Sequence, residues 1–152
     1  MMFWNRSATQ SRQTDFTAEA IDLFTRFAER HRLRYEVDTS APVEVMWHFP
    51  VQEQLDHPIS LCLQNGDELN LGILDFWSYF FPFGNVAAEF EGIIDAWVDG
   101  RARIAKFPKQ RGQALQRLTE GEWITVYQAN RIRKFRGMPV ETLQNRPLRA
   151  DV

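Results

Sequence analysis

Only one cysteine, Cys62, occurs in the 152 residues, so an internal disulfide is excluded. The three histidines, His31, His48 and His57, are scattered, and with one thiol they offer no zinc-ligand spacing. No apolar run approaches the roughly 18 residues that a membrane span needs. Met1–Asn5 meets Arg6 before any signal-peptide core could form, so the expected location is the cytoplasm. A phosphate-cradling glycine loop, a Gly-x-Ser-x-Gly elbow, a His-Glu-x-x-His helix and a Cys-x-x-Cys pair are all missing. The sequence therefore predicts no cofactor, no metal and no standard enzyme chemistry. One nucleophilic arrangement stays conceivable: Cys62 with His48 or His57 and a carboxylate such as Glu68 or Asp75. A lone intracellular cysteine more often packs as a small apolar residue.

What is present is aromatic. Six of the nine residues in Asp75–Phe83 carry rings, and Pro82 and Gly84 close the segment. So much apolar surface anchors a core or makes a contact. Upstream, Ala20, Ile21, Leu23, Phe24, Phe27 and Ala28 gather on one side of a helix that Thr17 could cap, with Phe16 stapled onto Ile21. His31 falls at its buried end. From Leu33 the period changes to two, predicting strands over 33–37 and 43–49, then a hairpin around Asn65-Gly66 joining Ile59–Leu63 to Leu69–Ile73.

Strict alternation would bury Asp75, an expensive place for a lone carboxylate. A bulge at Gly72 would reverse the parity, sending Leu74 and Phe76 inward and Asp75, Trp77 and Tyr79 outward. Phe76 and one or two of Phe80, Phe81 and Phe83 are then expected under a second helix, which Asn85 could cap and Gly100 could end.

That helix carries a narrow apolar stripe, Val86, Phe90, Ile93, Ile94 and Trp97, and opposite it Glu91, Asp95 and Asp99 at mutually repulsive spacings of four, with Asp95 and Asp99 at the end of the helix dipole that prefers cations. Arg101, Arg103 and Lys106 could supply the charge. A basic partner docking where Ala88, Gly92 and Ala96 allow close approach is the sharper reading. Net charge is −2, yet residues 1–100 hold 6 basic and 16 acidic side chains and residues 101–152 hold 12 and 4. Trp123–Tyr127 reads as a strand and 101–118 as weaker ones. Arg131, Arg133, Lys134 and Arg136 form a short basic cluster that a nucleic acid could use, although the acidic pI near 5.9 argues against such a ligand.

Leu61–Leu69 with its Gln64-Asn65-Gly66 turn, followed by Phe76-Trp77 and Phe81-Pro82, resembles a loose group of small uncharacterised bacterial proteins. The resemblance implies an initial helix, a turn, an aromatic anchor and a short helix closing at glycine, in a bacterial cytoplasm. It carries no activity.

The expectation is an α+β domain over residues 15–136, with a polar segment 1–14 before it and a tail 137–152 after it. An antiparallel sheet of six to seven strands would pack on two amphipathic helices, in the order α-β-β-β-β-α-β-β-β. The expected role is a protein-interaction or regulatory module of adaptor or immunity type, with a protein partner and no membrane. Its candidate contacts are Asp75, Trp77, Tyr79, Glu91, Asp95 and Asp99. A small enzyme or ligand-binding protein with a site near the aromatic segment is the alternative.

Overall fold

The computed structural model describes residues 15–107, 112–129, 135 and 137–146. Helix α1 spans Thr17–His31. Strands β1 (Glu36–Val37), β2 (Val45–Phe49), β3 (Ile59–Gln64), β4 (Glu68–Ile73) and β5 (Phe76–Trp77) follow. Helix α2 spans Phe83–Val98, and β6 (Ala102–Phe107), β7 (Gly112–Thr119), β8 (Glu122–Ala129) and β9 (Glu141–Gln144) complete the set.

The α+β class and the two helices agree with the sequence, but the strands form two antiparallel sheets instead of one. The first has the order β1-β2-β3-β4-β5 and the second β8-β7-β6-β9. The physical reason lies in α2. Its expected apolar stripe was one-sided, yet Phe90, Ile93, Ile94, Ala96, Trp97 and Val98 are all buried. A helix with so wide a buried arc needs cover on more than one side, and α2 touches both β4 and β6. One core joins both helices and both sheets, from Leu23 and Trp47 to Ile104 and Leu115.

Local chemistry fixes the entrances to the elements. Ahead of α1, whose N-cap is Phe16, Asp15 Oδ1 accepts the Thr17 backbone N–H at 3.0 Å and its hydroxyl at 2.6 Å. Phe16 stacks on Phe83, ring centroids 4.8 Å apart, and Ile21 stays exposed. Asn65 and Gly66 take φ of 56° and 69°, as the tight hairpin requires. For α2 the capping group arrives from that same hairpin: Asp67 Oδ1 accepts the Phe83 N–H at 2.8 Å.

Gly72 carries no bulge. β3 and β4 pair without a break from Gln64↔Glu68 to Ile59↔Ile73, and β5 turns back through Leu74-Asp75, so that Ile73 faces Phe76 and Gly72 faces Trp77. The turn, not a bulge, brings Asp75 out to solvent. Glycine is needed at position 72 because the Trp77 indole lies on it: a Cβ there would meet two ring carbons at 2.7 Å. Among the described residues a register shift falls between β7 and β8, where Val126 is the extra residue opposite Leu115 and Gln116.

Residues 141–146, expected in a tail, are built into the fold. β9 pairs with β6, and the buried Asn145 side chain accepts from the Asp56 N–H at 2.7 Å and donates to the carbonyls of Gln54 and Val98.

Candidate interaction surface

The aromatic segment runs along the edge of the first sheet in a constant register. After Gly72↔Trp77, the Leu69 and Phe80 backbones exchange both hydrogen bonds, at 2.8 and 2.9 Å. Phe76, Ser78 and Phe80 therefore point to the core. Phe80 meets Phe90 of α2 edge-on at 5.5 Å, and Tyr127 packs against both Phe76 and Phe80. Between them the ladder is distorted: the Ser78 hydroxyl accepts from the Leu71 N–H and donates to the Leu71 carbonyl, while Asn70 Nδ2 donates to the Ser78 carbonyl at 3.0 Å.

Alternation turns the other members outward. Tyr79 is 45% exposed and Phe81 60%, with Leu74 at the turn 62% exposed beside exposed Asp75. Trp77 is half-buried because one indole face rests on Gly72. Burial raises the Tyr127 phenol above its ordinary value. The edge thus presents rings to solvent while its backbone is partly capped from within.

Charge along the stretch of sequence that carries this edge is one-sided. No lysine or arginine occurs between Arg34 and Arg101, and that interval holds twelve carboxylates. Three of them have arginine partners: Asp56 with Arg146, and Glu91 and Asp95 with α1. Among the described residues no ion pair to lysine or arginine reaches the other nine, which include Glu36 on β1, Glu68 on β4 and Asp75.

The acidic face of α2 is answered mainly from inside. Arg26 and Arg30 bond Glu91 at 3.0 and 2.9 Å, and Arg30 and His31 bond Asp95 at 3.0 and 2.7 Å. Hydrogen bonding from Arg26 holds the Glu91 carboxyl below its usual range. Burial works against Asp95, but the bonds from His31 and Arg30 outweigh it and its carboxyl is also lowered. The cations come from α1, not from Arg101, Arg103 or Lys106. A further guanidinium, that of Arg117, lies against Gly92, where a Cβ would meet it at 2.9 Å. Asp99 is exposed at the C-cap of α2.

The conceivable cysteine site does not form. Cys62 is fully buried, and burial followed by the nearby Glu44 carboxylate pushes its thiol up to about 12, so it is protonated at neutral pH. His48 instead bonds Ser60 and Asp38, a pairing no sequence motif announces. Arg131, Arg133, Lys134 and Arg136 lie outside the described residues. On the second sheet the Arg103 guanidinium covers the Trp123 ring at 4.3 Å and bonds Gln116 at 2.8 Å. Among the described residues no group of three or more His, Cys, Asp or Glu could hold a metal, and no helix is long and apolar enough to cross a membrane. Comparisons with protein-family models, with curated proteins and with solved structures give no match.

Proposed function

We propose that this chain is a protein-interaction module whose contact surface is the aromatic edge of the first sheet, and that its partner is a protein with a basic face. One observation carries the reading: Leu74, Tyr79 and Phe81 are exposed along one sheet edge beside the half-buried Trp77, and Asp75, in the turn that opens this edge, has no ion pair to lysine or arginine among the described residues. Rigid rings give large contact area at low entropy cost, and aromatic anchors dominate binding energy at protein interfaces. Asp75, within a stretch of sequence free of lysine and arginine, would favour a cationic partner over an acidic one. Glu91 and Asp95 contribute little to this surface, since their charge is spent on α1. An adaptor or immunity-type role in a bacterial cytoplasm is a concrete form of the reading.

A photo-crosslinking amino acid placed at Tyr79, with a control at Ala88 on α2, tests it in cells. The expected result is one dominant protein partner, captured only from position 79, whose binding weakens with added salt and falls at least about tenfold in Trp77→Ala. Equal capture from both positions, or an acidic partner insensitive to Trp77→Ala, overturns the proposal.

A further inference from the structure

The outer face of the first sheet also holds a nucleophile, a base and a carboxylate in contact. The strand register sets Glu36, His48, Ser60, Gly72 and Trp77 side by side across the five strands. His48 Nδ1 lies 2.8 Å from Ser60 Oγ, and its Nε2 lies 3.1 Å from Asp38 Oδ2. The other Asp38 oxygen is held in a turn by the backbone N–H groups of Ser40 and Ala41, at 3.0 and 3.2 Å, and by the Ser40 hydroxyl at 2.7 Å.

These contacts fix the direction of the proton chain. An ionised carboxylate only accepts, so the imidazole proton belongs on Nε2, facing Asp38. Nδ1 then offers its lone pair to Ser60, whose hydroxyl donates. This is the polarity that a general base needs toward a serine, with the two ring nitrogens exchanged relative to the usual serine hydrolases; such sites are recognised by geometry and roles.

We propose that Ser60 is an acyl-accepting nucleophile, with His48 as its general base and Asp38 as the orienting carboxylate, acting on small esters whose apolar part rests on the Trp77 indole. Access is open, because the His48 side chain is 44% exposed. Ser60 and His48 are directly opposed on two adjacent interior strands, so their spacing is set by the backbone ladder. The missing side chain at Gly72 brings the indole down one strand from Ser60.

In the first step Ser60 Oγ bonds to the ester carbonyl carbon and its proton passes to His48 Nδ1. The carbon–oxygen bond to the alcohol then breaks, and the alkoxide takes that proton. Water adds to the acyl-serine in the same way, giving the carboxylic acid and restoring the Ser60 hydroxyl. β3 is paired on both sides, so its backbone N–H groups serve the ladders and not an oxyanion. Turnover should be slow, and covalent capture is the sensitive readout.

The full chain is incubated with a fluorophosphonate probe and the adduct mapped by peptide mass spectrometry. A stoichiometric adduct at Ser60 is expected, lost in Ser60→Ala and formed at least about tenfold more slowly in His48→Ala and Asp38→Asn. Ser60→Cys provides a second readout: iodoacetamide should modify position 60 at a rate that drops in the double variant with His48→Ala, while buried Cys62 stays unmodified. No adduct, an adduct on another residue, or labelling indifferent to His48 in both formats overturns the proposal. The outcome is independent of the docking surface, since neither assay requires a partner.

Discussion

At the scale of the residue, Gly72 and Trp77 form a pair in which the absent side chain matters as much as the present one. Adding a methyl group at position 72 puts it 2.7 Å from the indole carbons, so the ring must swing away and expose the face it now hides. Gly72→Ala is expected to cost about 1–3 kcal/mol, as overpacking does, and to red-shift tryptophan fluorescence. An unchanged spectrum would show that the indole is not seated there. Two positions later Leu74 holds φ at 54° with its side chain in water, a conformation costing a branched L-residue about 1 kcal/mol. Leu74→Gly should leave the melting temperature level or raise it.

The sequence anticipated that Asp75, Trp77 and Tyr79 face outward, although by the wrong device. Alternation flagged a carboxylate that could not be buried, but a bulge and a turn both resolve that conflict, and Leu-Asp is not a recognisable turn pair. Ser60 with His48 stayed invisible for another reason. Their approach depends on strand register, and neither neighbouring sequence marks it.

At the scale of the element, α1 is fixed at its start by the adjacent Asp15, whereas α2 borrows its fixing group from another part of the chain. Asp67 caps α2 across sixteen residues of sequence, so Asp67→Ala should destabilise by about 1 kcal/mol in urea denaturation, without altering the β3–β4 hairpin itself. The α1–α2 contact is ionic at its solvent side. Glu91 and Asp95 both have lowered carboxyl values in the fold, so the stabilisation they give is complete above the ordinary carboxylate range and is lost as pH falls through their folded values. Wild type should therefore lose more stability between neutral pH and about pH 3 than Asp95→Asn does, when both are followed by thermal melts. A parallel loss in the two proteins would mean that the network contributes nothing.

Helix α1 was legible because its apolar residues lie on one stripe. For α2 the stripe was found but its width was not. Ala96 reads as room for a docking partner and Val98 stands off the stripe, yet both are buried, and the helix touches both β4 and β6.

At the scale of the whole molecule, the sheets are separate in hydrogen bonding and joined in packing. Asn145 is a polar tie from the second sheet to the loop before β3 and to α2. From the residue after β9 its side chain reaches the loop before β3, at Gln54 and Asp56, and the last turn of α2 at Val98. All three bonds are local to no element, so the sequence gives no sign of them; a four-residue strand with one apolar side chain, Leu143, reads as tail. Because Asn145 is buried, Asn145→Ala would leave an N–H and two carbonyls without this partner and should cost about 2–4 kcal/mol. The protection of β6 amides in hydrogen exchange should fall with it, since β9 covers the β6 edge. If instead the variant melts like wild type and β6 stays protected, the second sheet is held by the shared core alone, and residues 141–146 could be removed without unfolding the surface that β5 presents.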